Sequence, residues 1–174
     1  MRPYKPALLA LFALALHAWP VGAQEARPVE VTPYVGFGTA GASPVGTALT
    51  FPITSTLSVE TDTAYRRGEG NINALSSSVS LLYSLPRVGQ TRPYVVGGIG
   101  LTQIGVPVFG SPSGPPIGTE SRLAMTVNAG GGLKTPINEK VDLRTDARWF
   151  KSFGRYGSEQ FRVAQGVSFD VGKR

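Results

Sequence analysis

The sequence predicts an all-β domain of eight antiparallel strands, and three observations support this prediction. Apolar and polar residues alternate with a period of two along a series of short segments. Clusters of Gly, Pro, Ser and Asn separate these segments, as turn residues separate strands. No segment after residue 23 shows the 3.6-residue period of an amphipathic helix with a cap and a stop.

The N-terminal residues 1–23 have the composition of a secretory signal peptide. A basic pair, Arg2 and Lys5, precedes an apolar run over Ala7–Ala18 and a small-residue site that ends at Ala23. The apolar run is shorter than the roughly 20 residues of a spanning helix, so an uncleaved anchor is the less favoured alternative. We therefore expect cleavage after Ala23 and one mature domain over residues 24–174.

The composition excludes several classes of function. The chain carries a net charge of +6 without a Lys/Arg cluster, so we expect no nucleic-acid partner. The chain has no cysteine, so no disulfide stabilises the exported domain. It also lacks a Cys/His cluster and an Asp-rich calcium loop, and we expect neither a metal site nor a cofactor.

The first half of the mature chain contains four predicted strands, each with an apolar face and a face of small or polar residues. Pro52 ends the second strand, and Gly68–Gly70 separates the third strand from the fourth. The predicted limits are Val29–Thr39, Val45–Phe51, Thr56–Arg67 and Asn73–Leu85.

The second half contains four more predicted strands. Pro86–Thr91 and Pro136–Glu139 are predicted turns, and the Pro/Gly-rich segment Gly105–Glu120 is predicted as one long loop. The strands are predicted over Arg92–Gln103, Arg122–Thr135, Lys140–Ser152 and Phe161–Val171.

The strand over Lys140–Ser152 is unusual because its polar face alternates in charge. This face carries Asp142, Arg144, Asp146 and Arg148, whereas the other face carries Val141, Leu143, Thr145, Ala147 and Trp149. Carboxylates and guanidiniums on one face pair readily, and the pairing matters most where water is scarce. On the surface of a soluble sheet, the same pairs contribute little to stability.

The polar faces favour a membrane barrel over a soluble barrel or sandwich. They are rich in glycine and serine, which suits the crowded interior of an eight-stranded barrel. Their larger polar residues carry both signs of charge, so they are able to pair inside. We expect an ionic network in the lumen that stabilises the barrel and gates ion passage, formed by Glu60, Asp62, Arg122, Asp142, Arg144, Asp146, Arg148 and Arg162.

The connections and the aromatic residues support the same interpretation. Short turns near Pro52, Pro86 and Pro136 alternate with Gly/Ser-rich connections, as in outer-membrane barrels. Aromatic residues of the apolar face fall near the strand ends, where they predict two girdles at the membrane surfaces. The predicted girdles are Phe37, Tyr65, Trp149 and Phe161 at one end and Phe51, Tyr83 and Phe169 at the other.

The chain resembles the small eight-stranded outer-membrane β-barrels of the OmpA/OmpX type. The resemblance lies in RPYVVGGIG (residues 92–100), in NAGGGLKTPINEKVDLRTDARWF (residues 128–150) and in the closing VAQGVSFDV (residues 163–171). It implies an eight-stranded up-and-down transmembrane barrel in the outer membrane of a Gram-negative bacterium, in contact with lipid. In the last strand, Gly166, Phe169 and Val171 are similar to the signal that the assembly machinery reads, although Gly172–Arg174 follow instead of a terminal aromatic residue.

We do not expect an enzyme. Outer-membrane lipases, deacylases, palmitoyl transferases and omptin-type proteases share the resemblance and use a histidine, but the one histidine here, His17, lies in the predicted signal. Glu60 and Asp62 form the one candidate carboxylate pair, and ionic packing is the favoured interpretation of both. The glycine-rich GGIG and NAGGGLK segments precede no helix, so they predict no phosphate site.

The leading functional hypothesis is a monomeric, non-enzymatic barrel with a plugged or narrow polar lumen and a structural or surface-interaction role. Its loops, chiefly Gly105–Glu120, would carry any interaction. A passive channel or carrier for small solutes is the first alternative. The second is a soluble periplasmic barrel of lipocalin type, in which the apolar face encloses a ligand.

Overall fold

In the computed structural model, the described residues are 28–39, 43–68, 72–110, 114, 116–154 and 157–172. The predicted signal peptide and its cleavage site lie outside them. Within these ranges no helix is long and apolar enough to cross a membrane. The strands are β1 (Val29–Gly38), β2 (Val45–Pro52), β3 (Leu57–Arg67), β4 (Asn73–Ser84), β5 (Arg92–Phe109), β6 (Pro116–Pro136), β7 (Val141–Phe153) and β8 (Glu159–Val171).

The eight strands form one closed antiparallel barrel, which confirms the predicted fold class. Each strand pairs with its neighbours in the sequence, and β1 pairs with β8 from Val29↔Val171 to Gly38↔Arg162. Closure leaves no free sheet edge around the wall, and backbone hydrogen bonds are therefore satisfied without water. This property is required of a sheet that crosses a membrane.

The barrel has two different ends. We call the end at which β1 begins and β8 ends the turn end; the short connections β2–β3, β4–β5 and β6–β7 also lie there. The opposite end, with the connections β1–β2, β3–β4, β5–β6 and β7–β8, is the loop end. The alternation follows directly from the up-and-down order of the strands.

Most large apolar side chains lie outside the barrel, and most polar side chains of the wall lie inside it, as the alternation predicts. Leu82 and Val96 are exceptions, because they cluster with Tyr94 inside the barrel. Phe37 is 71% exposed, whereas the side chains that contact the lumen include Thr32, Thr50 and Glu60, all at most 1% exposed. A lipocalin-type barrel requires the opposite arrangement, so this alternative is wrong. The outer face is mainly apolar, and its exposed side chains include Val35, Val79, Leu81, Val95, Ile99, Leu101, Leu133 and Val163.

The predicted aromatic girdles lie where the sequence places them. Phe37, Tyr65, Trp149 and Phe161 lie near the loop end of their strands, and Trp149 pairs directly with Phe161. Phe51, Tyr83 and Phe169 lie near the turn end. Aromatic rings at the two borders of an apolar band suit the two interfaces of a membrane.

The predicted long loop over Gly105–Glu120 is wrong, because most of this segment is paired strand. β5 and β6 continue as a two-stranded hairpin from Val106↔Glu120 to Phe109↔Pro116, beyond the last pairs that they make with β4 and β7. The β-branched Val106, Val108 and Ile117 favour the extended backbone. A two-stranded hairpin has free edges, so it tolerates the prolines that predicted a loop.

Candidate functional site

The interior of the barrel contains a group of six charged side chains, which we call the buried ionic cluster. β7 contributes Arg144, Asp146 and Arg148 from its alternating face, β3 contributes Glu60 and Asp62, and β8 contributes Arg162. All six are buried. Three guanidiniums face three carboxylates, so the cluster is neutral.

Glu60 connects β3 to β7 across the lumen. Its Oε2 accepts a hydrogen bond from Nη1 of Arg144 at 2.6 Å, and its Oε1 accepts one from Nη2 of Arg148 at 2.6 Å. The Thr50 hydroxyl donates to Oε2 at 3.1 Å. The side chain is 0% exposed, so a complete set of donors replaces the water that it loses.

Asp146 is held by the same two arginines and by a tyrosine. Arg148 donates from Nε to Oδ1 at 2.7 Å and from Nη2 to Oδ2 at 2.9 Å, a bidentate contact. The Tyr94 hydroxyl of β5 donates to Oδ2 at 2.6 Å and accepts a hydrogen bond from Nε of Arg144 at 2.8 Å. The Arg144 guanidinium also lies 4.9 Å from the centre of the Tyr94 ring.

A second carboxylate–arginine pair lies beside the first, toward β1 and β8. Arg162 donates to both oxygens of Asp62 at 3.2 Å, and the Tyr34 hydroxyl of β1 donates to Oδ2 of Asp62 at 2.8 Å. The guanidinium lies 4.8 Å from the Tyr34 ring centre and 4.9 Å from that of Phe150. Arg162 also lies 3.8 Å from Oδ1 of Asp146, which connects the two halves of the cluster.

The structure brings six of the eight predicted lumen residues together and leaves two apart. Arg122 lies at the base of the protruding β5–β6 hairpin, where it pairs with Glu120 at 3.0 Å and lowers the pKa of that carboxyl. Asp142 is half-buried near the turn end, where it lines a vestibule with Arg87 and Arg92. The shared strand face was predicted correctly, but position along the barrel axis separates these two residues from the cluster.

Two residues that the sequence analysis did not select, Tyr34 and Tyr94, complete the cluster. Both lie on polar faces, and the register sets each of them beside glycine: Tyr34 pairs with Gly46 and Gly166, and Tyr94 pairs with Gly132. A Cβ atom at Gly132 would collide with the Tyr94 ring. Glycine opposite an inward-facing tyrosine is therefore the sequence signal for these positions, but it requires the strand register.

The cluster closes the lumen between two vestibules. The turn-end vestibule has a volume of about 320 Å³, and the loop-end vestibule about 50 Å³. The gap beside the cluster, between Asp62, Arg148 and Arg162, is only about 10 Å³, about the space that a single water molecule needs. An ion pair between Lys134 and Glu30 lies on the turn-end side.

The two candidate catalytic carboxylates, Glu60 and Asp62, both hold arginines. Glu60 is bound through both oxygens, and Asp62 is bound by Arg162 and Tyr34. Among the residues that the structure describes, no group of three or more His, Cys, Asp or Glu side chains could hold a metal ion. The contacts of this site serve to neutralise charge and to connect strands.

Comparison with solved structures identifies the same fold. The N-terminal β-barrel domain of Pseudomonas aeruginosa OprF aligns over 85% of this chain and 100% of its own length, with a TM-score of 0.64 and 19% identity. Neisserial surface protein A aligns over 84% and 98%, with a TM-score of 0.67 and 12% identity. The outer membrane enzyme PagL aligns over 82% and 99%, with a TM-score of 0.50 and 16% identity.

Sequence comparisons add nothing to this likeness. No protein-family model matches the chain, and no curated protein matches it. At identities below 20%, the structural likeness shows the fold alone. Together with the apolar exterior and the ionic interior, it shows that the chain has the fold of the small eight-stranded outer-membrane β-barrels.

Proposed function

We propose that this protein is a monomeric, non-enzymatic barrel of the outer membrane whose lumen is closed and whose loop end carries its interactions. The observation that supports the closed lumen is the buried ionic cluster with its gap of about 10 Å³. Because the lumen is closed, the architecture favours a role at the cell surface as the main function. The β5–β6 hairpin, which extends beyond its neighbouring strands, is the main surface for it.

The hydrogen bonds of the cluster connect strands that do not pair with each other in the sheet. Glu60 ties β3 to β7 on the other side of the lumen, and Tyr94 ties β5 to β7. Asp62 and Arg162 tie β3 to β8. Breaking one partner of such a pair leaves an unpaired buried charge, which costs about 3–5 kcal/mol, so spontaneous opening is rare.

Conductance across a planar bilayer tests the closed lumen. We expect the purified barrel, inserted in a bilayer in concentrated KCl, to show no sustained steps above the baseline. Insertion is checked independently by heat-modifiable migration on a gel of the protein recovered from the same preparation. Sustained open steps from correctly inserted barrel would refute the proposal.

A passive channel is the second candidate, and the two vestibules favour it. They approach the cluster from both ends, so displacement of one layer of side chains would join them. In that case Glu60 and its arginines would gate ion passage. The same bilayer recording distinguishes the candidates: brief, frequent openings of the wild-type barrel that become long-lived in Arg148→Ala indicate a gated channel.

We propose that the barrel is not an enzyme, because the predicted mature chain lacks the histidine and cysteine of the usual nucleophile–base pairs. The chain has no cysteine, its one histidine is His17, and Glu60 and Asp62 are committed to arginines. The likeness to PagL shows that this fold also accommodates an outer membrane enzyme, so the fold does not decide the question. We expect phospholipid vesicles containing the barrel to release no fatty acid above protein-free vesicles by mass spectrometry.

The predicted signal peptide and the last strand indicate how the chain reaches the outer membrane. We infer a cleaved signal over residues 1–23 and assembly through the last strand, in which Phe169 and Val171 face outward and Gly166 packs against Tyr34. Cell fractionation tests both. The expected product is a heat-modifiable protein in the outer membrane whose N-terminus is Gln24. A soluble periplasmic pool whose mobility ignores boiling would overturn the assignment.

A further inference from the structure

The loop-end vestibule differs from the rest of the lumen in its charge. It lies between the buried ionic cluster and the loop end and has a volume of about 50 Å³. Its described lining includes no acidic residue, whereas Glu30, Asp142 and Asp170 all line the turn-end vestibule. The polar groups around it are Arg66, Ser76, Thr126, Ser152, Gln160 and Arg162.

Arg66 brings one positive charge to this vestibule, and no carboxylate among the described residues pairs with it. Its half-buried guanidinium donates from Nη1 to the amide oxygen of Gln160 at 2.7 Å, which is its one hydrogen bond within the described ranges. The three arginines of the buried ionic cluster are matched by three carboxylates. Counted over the described residues, the lining of the loop-end vestibule therefore carries an excess of one positive charge.

A further group is able to donate into the same space. Ser76, Thr102, Thr126 and Ser152 form a chain of hydroxyls with successive separations of 3.1 Å. Three hydrogen bonds among four hydroxyls use three protons, so one hydroxyl proton is left to donate to another acceptor. All four hydroxyl residues line the vestibule.

We propose that the loop-end vestibule binds one small monovalent inorganic anion, of the size of chloride or bromide. The anion lies against the Arg66 guanidinium and accepts a hydrogen bond from the spare hydroxyl proton. The single excess charge sets the valence, and the volume of about 50 Å³ sets the size. The site depends only on the barrel interior and not on the proposed surface role.

Chloride-35 NMR of the folded barrel in detergent micelles tests the site. Ionic strength is held constant with sodium gluconate, whose anion is too large for the vestibule. We expect excess broadening of the chloride signal that bromide removes by competition. In Arg66→Gln we expect affinity to fall by at least about tenfold, because a charge-assisted contact is lost. Arg67→Gln, an equal change of charge at the exposed neighbouring position, should keep the wild-type affinity.

Absence of excess broadening in the wild type, or equal losses in the two variants, would overturn the proposal. If Arg66→Gln does not fold, Arg66→Lys preserves the charge and should retain binding. Crystals soaked in bromide give an independent result on the unmodified protein. An anomalous peak beside Arg66 and the chain of hydroxyls supports the site, and an empty vestibule refutes it.

Discussion

Neutralising Glu60 is the sharpest test of the buried ionic cluster. Glu60→Gln keeps the shape of the side chain but leaves three guanidiniums against two carboxylates. The two 2.6 Å contacts to Arg144 and Arg148 are affected directly, because an amide nitrogen then faces one guanidinium, donor against donor. The side chain is 0% exposed, so water does not compensate. We expect a loss of about 3–5 kcal/mol in the free energy of unfolding.

Urea unfolding of the barrel in lipid vesicles measures this loss. Trp149, the one tryptophan outside the predicted signal, provides the fluorescence signal. With a urea m-value of about 2 kcal/mol/M, a loss of about 4 kcal/mol lowers the midpoint by about 2 M. The m-value itself should not change, because the folded barrel keeps its shape.

Glu159→Gln is the matched control. Glu159 pairs with Lys151 at 2.9 Å, but the two side chains are 60% and 43% exposed. A pair in contact with water contributes little to stability, so the midpoint should move by no more than about 0.5 M. If Glu60→Gln cost no more than Glu159→Gln, the cluster would not stabilise the barrel, and our reasoning about burial would be wrong.

Three more predictions concern packing, hydrogen bonding and assembly. Gly132→Ala should reduce the heat-modifiable fraction on a gel several-fold, because the added Cβ collides with the Tyr94 ring. Gly97→Ala is the control and should fold normally, because the nearest atom to its added Cβ is 3.7 Å away. Equal folding of the two variants would contradict this account of the packing. Tyr34→Phe removes the hydroxyl that donates a hydrogen bond to the buried Asp62 carboxylate. We expect the free energy of unfolding, measured in urea, to fall by about 1.5–3 kcal/mol, and a change below about 0.5 kcal/mol would contradict this expectation. Phe169→Ala should lower the yield of assembled barrel in cells but not the fraction that refolds in detergent. If both fell to the same extent, Phe169 would act on the stability of the barrel and not on its assembly.

The alternation of residue type predicted the strands and their faces because a strand turns successive side chains to opposite sides. This reasoning was correct for β7, whose Asp146 and Arg148 face the lumen while Trp149 faces outward. It was wrong for Gly105–Glu120, where prolines and glycines indicated a loop. Local composition does not reveal that β5 and β6 pair with each other beyond the wall of the barrel.

Register and barrel closure decided the rest. The sequence alone determined that Glu60, Arg144 and Arg162 share the polar face, because the side-chain period of a strand is a local property. The tertiary structure alone decided that these residues meet, since the height of each residue in the barrel depends on the pairing of all eight strands. It also decided that Arg122 and Asp142 lie apart from the cluster, and that Arg66 faces a vestibule whose described lining holds no acid.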